Sequence, residues 1–235
     1  MKNKVCLVTG ASRGIGRSIV KKMLEADATV IATARSIINL KDLQKEFAEY
    51  ASNLRVFEAD LSLPLEVQKF CETITKKVGN IDVLINNAGV LYLEPLNDSS
   101  EELLRKSFEV NLFAPFALTR HFSRSMVTNR AGTIINLCSS SSYTGGGAPG
   151  HCIYASTKHA LLGFSRALDD ELRSYNIRIG TVSPAGVSTS MMANRGDLDH
   201  SSFMSADEVA DAVMYMIKSE GAGIIYEMRM WRKDR

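Results

Sequence analysis

The sequence is poor in the residues that would mark a stapled or metal-built protein. Its four cysteines, Cys6, Cys71, Cys138 and Cys152, are scattered with no CxxC pair. That argues against a disulfide framework or a zinc site and suits a reducing cytosol. Histidine is equally sparse, with four in the chain. His151 and His159 fall close together, but no acid or thiol cluster joins them at ligand spacing, so no metal is expected. Neither sign of charge is in excess: 28 basic and 26 acidic residues leave a net charge of +2. Such a chain carries no broad field for nucleic acid, and no nucleic-acid partner is expected. There is no apolar run of the roughly eighteen residues that a membrane span needs. Residues 1 to 9 lead straight into a strand-like run, so no signal peptide is expected and the cytoplasm is the expected location. Internal repeats, heptads and linker-like boundaries are missing, and low complexity is confined to Ser139–Ser142 and Gly145–Gly147.

What remains is an ordinary globular composition, 45% apolar and 23% charged over 235 residues, enough for one large α/β domain. Short apolar, β-branched runs fall at Val5–Thr9, Thr29–Ala34, Leu54–Ala59, Val83–Asn86, Thr133–Cys138, Ile177–Val182 and Gly223–Met230. Between them lie helical patterns. In the first, Ile15, Ile19, Met23 and Leu24 recur at helix spacing, with Arg17, Lys21, Lys22 and Glu25 on the other side. Further helices are predicted over 39–51, 64–79, 99–129, 155–175 and 206–219. Continuous apolar strands alternating with helices imply a doubly wound, seven-stranded parallel sheet with helices on both faces, a Rossmann-type domain over residues 1–235.

The segment Thr9-Gly10-Ala11-Ser12-Arg13-Gly14-Ile15-Gly16 follows the first strand and opens the first helix. In a parallel sheet ligands sit at the carboxyl ends of the strands, at the switch in strand order. A glycine-rich turn there lets backbone approach a pyrophosphate, and the following helix offers free N–H groups to it. A tight turn without a ligand is the plainer alternative, but the required context of strand before and helix after is met.

These residues resemble the TGxxxGxG fingerprint of the short-chain dehydrogenase/reductases. The likeness continues in family order. Asn86-Asn87-Ala88-Gly89 is similar to the family's NNAG, Asn111 in VNLFAPF to its helix asparagine, and Tyr154-Ala155-Ser156-Thr157-Lys158 to its YxxxK. The resemblance implies an NAD(P)(H)-dependent oxidoreductase that interconverts an alcohol and a carbonyl on a small-molecule substrate. It implies cofactor contacts at Gly10, Ser12, Arg13, Gly14, Ile15, Gly16, Thr33, Asp60, Leu61, Asn87, Ala88, Gly89, Tyr154, Lys158, Pro184, Val187 and Thr189. The cofactor motifs fall mainly in residues 1–115, the catalytic and substrate part mainly in 111–235. A homodimer or homotetramer is implied as well, with Ala160, Gly163 and Ala167 as a small-residue stripe along one helix.

Tyr154 and Lys158, four apart, share a helix face. A free tyrosine ionises near pH 10, so only about one in a thousand is phenolate at pH 7, a cost of roughly 4 kcal/mol. A nearby ammonium lowers that cost. For carbonyl reduction the same tyrosine is the acid. Asn111 lies in an apolar stretch and is a poor helix former, so its amide is expected to hold a water or bend the helix. In the family a serine after the fifth strand holds the substrate oxygen. Counting from the strand nominates Ser139; counting back from Tyr154 by a common family spacing nominates Ser141. Ser139 is favoured, because a glycine-rich loop accepts insertions and a strand register does not.

At the end of the second strand, Thr33-Ala34-Arg35 has alanine where NAD-binding proteins usually place an acid. Arg35 and Arg13 suit the 2′-phosphate of NADP(H). The family's Pro-Gly after the sixth strand is Pro184-Ala185 here. The segment Ser190–Ser205, with Met191, Met192 and Phe203, is expected to form a small lid, and Leu91, Tyr92, Tyr143 and His151 to shape the pocket. The tail Trp231–Arg235 reads as a solvated end or a subunit contact. A second functional class stays open: a catalytically retired dinucleotide-binding regulatory or scaffold protein.

Overall fold

The computed structural model describes residues 1–146, 149–192, 202–219 and 223–232. In chain order the elements are β1 (Val5–Thr9), α1 (Gly14–Glu25), β2 (Thr29–Ala34), α2 (Ile37–Glu46), β3 (Leu54–Glu58), α3 (Pro64–Lys77), β4 (Val83–Asn86) and α4 (Glu101–Phe108). Then follow a π turn at Glu109–Phe113, α5 (Ala114–Asn129), β5 (Gly132–Leu137), α6 (Cys152–Leu172), β6 (Ile177–Pro184), α7 (Ala206–Lys218) and β7 (Glu227–Met230). Short 3-10 turns occur at Ala48–Tyr50, Ser140–Ser142 and Arg173–Tyr175.

The strands form one parallel seven-stranded sheet in the order β3-β2-β1-β4-β5-β6-β7. Side chains alternate between its faces. Cys6 and Val8 point to a core shared with α1, α2 and α7, and Leu7 to one shared with α3, α5 and α6. Both faces are therefore apolar, which is why these strands read as unbroken apolar runs. The doubly wound α/β architecture is as expected. The strand order reverses between β1 and β4, whose carboxyl ends carry the glycine loop and Asn86–Gly89.

The differences are local. The helix predicted over 39–51 starts earlier, because the Ser36 side chain caps it, and stops where Phe47 leaves helical geometry. The helix predicted over 99–129 is two helices joined by the π turn that holds Asn111. β6 runs on to Pro184 because β7 pairs with Ser183 and Pro184, and β7 itself begins only at Glu227.

Candidate active site

The glycine loop is built by close approach. Gly10 has φ +62°, and a Cβ on it would come within 2.8 Å of the Ala88 Cα. A Cβ on Gly16 would collide with the Gly10 carbonyl oxygen. Glycine is needed at both positions, by conformation at the first and by contact at the second. Thr9 fastens this loop to the one after β4: its hydroxyl accepts from the backbone N–H groups of Asn87 and Ala88, both at 3.0 Å. The Asn87 side-chain amide donates to the Thr9 and Gly10 carbonyls at 2.8 and 3.2 Å. Asn87 thus acts first as a clamp on the loop. α1 then begins with no acid in its first turn and no capping side chain, leaving its N–H groups to an anion.

This loop opens a cleft of about 730 Å³. All the expected cofactor residues line it except Thr33, which is fully buried. Thr33 instead gives its carbonyl to the Ala11 N–H at 3.0 Å. Arg13 and Arg35 are both exposed on the cleft wall, with Ala34 between them and Ser36 and Asn39 beside them. Among the described residues neither arginine is in an ion pair. Asp60 lies near Arg35. Burial pushes its carboxyl up, but hydrogen bonds from the Ser62 N–H and hydroxyl, at 2.9 and 2.7 Å, outweigh that and hold it below the usual range.

Tyr154, Lys158 and Ser139 converge on the same cleft. The Ser139 side chain lies beside the Tyr154 hydroxyl and favours its ionised form. Lys158 is buried, donates from Nζ to the Leu137 carbonyl at 2.7 Å, and lies 5.9 Å over the Tyr154 ring. Burial raises the Tyr154 hydroxyl above its ordinary value, with Ser139 opposing, and lowers Lys158. The expected depression of Tyr154 by its lysine neighbour is not what this geometry produces: desolvation is the largest influence on the hydroxyl and outweighs Ser139. Ser139 opens a 3-10 turn, its hydroxyl accepting from the Ser141 N–H at 3.1 Å. Ser141 also lines the cleft, one turn position on.

Asn111 stands behind this group and does not line the cleft. It is fully buried. Its side chain accepts from the Val90 N–H at 2.8 Å and donates to the Val90 carbonyl at 2.9 Å and to the Thr157 hydroxyl at 3.0 Å. Thr157 in turn donates to the Tyr154 carbonyl at 2.7 Å. Gly89 leaves the gap in front: a Cβ there would stand 3.3 Å from the Asn111 carbonyl oxygen and 3.7 Å from the Lys158 nitrogen.

The far wall corrects several expectations. Leu91, His151, Met191, Met192 and Phe203 line the cleft, but Tyr92 and Tyr143 do not. The Tyr143 hydroxyl donates to Glu227 at 2.8 Å, and its ring is covered by Arg229. Most of the expected lid, residues 193–201, lies outside the described residues. Trp231 and Arg232, read from sequence as a solvated end or subunit contact, line the cleft instead. The β6–β7 pairing sets Met230 beside Pro184 and so delivers the next two residues to the site. No local pattern in the tail signals that placement. Gly186, next to the unusual Ala185, lies against the Phe203 ring.

The sequence profile of the short chain dehydrogenases matches residues 4–199. The chain is 34% identical over 230 residues to the 3-oxoacyl-(acyl-carrier-protein) reductase FabG of Aquifex aeolicus, covering 92% of this chain and 90% of the relative. It is 31% identical over 222 residues to carbonyl reductase family member 4 of Xenopus tropicalis, covering 92% of each. Its fold matches a metagenomic short-chain oxidoreductase solved in complex with NADP, with TM-score 0.86 and 28% identity over 99% of both chains.

Proposed function

The chain belongs to the short-chain dehydrogenase family, and on that premise we propose that it is an NADP(H)-dependent oxidoreductase that reduces a carbonyl to an alcohol, or runs the reverse. The observation that carries this reading is the convergence of Tyr154, Lys158 and Ser139 on a cleft that begins at a dinucleotide-type glycine loop.

The residues present fit the cofactor. Gly10 and Gly16 have no room for a side chain against their neighbours, and the free N–H groups of α1 suit a pyrophosphate. Arg13 and Arg35 flank a position for a 2′-phosphate, with Ala34 in place of an acid that would repel it. Asp60 and Leu61 lie on the adenosine side; Pro184, Val187 and Thr189 line the cleft where the chain leaves β6. NADPH, when bound, supplies a hydride to the carbonyl carbon.

This chain then supplies the proton. Ser139 holds the substrate oxygen, and Tyr154 donates its hydroxyl proton to that oxygen as charge develops. Its raised pKa keeps it protonated at neutral pH, the state reduction requires. Lys158 holds the charge balance beneath the tyrosine. Asn111 is a positioning residue: through Thr157 it fixes the turn of α6 that carries Tyr154. The four unpaired cysteines support a reducing compartment, the cytoplasm. Among the described residues no helix is long and apolar enough to cross a membrane. Assembly as a homodimer or homotetramer is supported by the exposed faces of α5 and α6, treated below.

The test is NADPH oxidation with a panel of aldehydes, ketones and diketones, run on wild type and Tyr154→Phe. The variant is expected to lose at least about a hundredfold in kcat, in line with removal of a general acid, with NADPH affinity kept. The wild-type rate of reduction is expected to stay level through neutral pH and fall only on the alkaline side, as Tyr154 ionises. Near-normal turnover by the variant would remove Tyr154 from the chemistry.

A further inference from the structure

The cleft carries a cation that neither the glycine loop nor the Tyr154–Lys158 pair uses. Arg232 lies just past β7. Met230 pairs with Pro184, and its carbonyl accepts from the Ala185 N–H at 2.9 Å, so the next residues leave the sheet beside the turn that follows β6. There the Phe203 ring lies against Gly186, where a Cβ would come within 3.1 Å of it. The Arg232 guanidinium lies over the same ring, 5.3 Å from its centroid, and its Nη1 donates to the Ser202 hydroxyl at 3.4 Å. The ring and the serine hold the guanidinium in place, and its other N–H groups form a rigid fork suited to a carboxylate.

Among the described residues the charge around it is unbalanced. Among the described residues lining the cleft the one acid is Asp60, which lies near Arg35 by β2. β2 and β6 are separated in the sheet by β1, β4 and β5. No ion pair among the described residues involves Arg232, which is half-buried. A partly desolvated cation facing a cleft, without a neighbouring acid among the described residues, favours an anion brought by the ligand. The Phe203 ring beside it is apolar, and Trp231, Met191 and Met192 line the same cleft.

We propose that Arg232 receives a carboxylate of the substrate, so that the enzyme acts on an oxo acid with an apolar body, or on the matching hydroxy acid. The proposal rests on the reductase reading above for its chemistry, but the recognition can be measured by binding alone.

Levulinate and benzoylformate, each against its methyl ester, are titrated into the complex of the full chain with NADP+ and assayed for turnover with NADPH. The acids are expected to bind at least about tenfold more tightly than the esters, the lower range for one charge-assisted hydrogen bond. Arg232→Gln is expected to erase that difference while leaving ester binding and NADPH affinity unchanged, and Arg232→Lys to restore part of it. Equal binding of acid and ester by the wild type overturns the proposal. So does a preference that survives Arg232→Gln, or a loss of NADPH affinity in that variant, which would assign the guanidinium to the cofactor. Selective binding of the acids without NADPH oxidation would sustain the carboxylate site and overturn the reductase reading instead.

Discussion

Two serines compete for one role within a single 3-10 turn, and the hydrogen bonds around them rank them. Ser139, and not Ser141, lies beside the Tyr154 hydroxyl, and the Ser141 N–H donates to the Ser139 hydroxyl and helps to hold it. Ser139→Ala is expected to lower kcat by about a hundredfold, as loss of one donor to a developing oxyanion does, and Ser141→Ala by far less. Steady-state kinetics on both variants checks this, and the reverse order would transfer the role to Ser141. At the other end of the cleft, Arg13 and Arg35 are both exposed, so solvent screens them and their contacts fall at the weak end of charge-assisted bonds. A preference for NADPH over NADH of at least about tenfold is still expected from two such contacts. It should weaken as salt rises. Ala34→Asp with Arg35→Ile should reverse it, because a carboxylate accepts from the bare ribose hydroxyl and repels the phosphate. Titration of both cofactors against both proteins measures this; equal wild-type affinities would leave the arginines as surface charges.

The π turn between α4 and α5 shows how one side chain can shape an element. Asn111 satisfies both backbone groups of Val90 and a hydroxyl on α6, three bonds from a fully buried amide. A straight helix through residues 99–129 would not place that amide between the loop after β4 and α6. π turns of this kind commonly sit at functional sites. Asn111→Ala removes the partners of the half-buried Val90 N–H and carbonyl, and is expected to cost about 1–3 kcal/mol. Thermal denaturation reads the loss directly. A turnover defect larger than the loss of folded protein would show the positioning of Tyr154 through Thr157. An unchanged melting temperature would contradict the role given to these bonds.

For the molecule as a whole, α5 and α6 leave small and apolar residues exposed. Leu161 and Leu168 face the core, but Gly163 and Ala167 are exposed, and a Cβ on Gly163 would meet nothing within 4 Å. Phe116 is 47% exposed, and its ring lies 5.3 Å from that of Phe164; Phe113 nearby is 50% exposed. Apolar rings flanking a small-residue stripe suit close packing of a second copy about a two-fold axis. Light scattering at micromolar concentration is expected to give a dimer or a dimer of dimers. Gly163→Arg, which fills open space in the monomer and should not disturb its core, is expected to shift the population to smaller species. A monomeric wild type would remove this assembly.

The chain's own order of residues determined the strand runs, the α/β alternation and the motif residues around the cleft. Each of these depends on local spacing. Strands buried on both faces are unbroken apolar runs, a glycine loop opens a helix, and Tyr154 and Lys158 share a face because they are four apart. The folded molecule alone decided matters that depend on distant segments meeting. Asn111 becomes a clamp only because Val90 and Thr157 arrive on either side of it. The Tyr154 pKa rises rather than falls because of burial, which no local pattern records. Tyr143 turns away to Glu227, 84 residues on. The tail becomes part of the cleft because the β6–β7 register ends at Pro184 and Met230, bringing Trp231 and Arg232 to a cleft that opens at the glycine loop near the start of the chain.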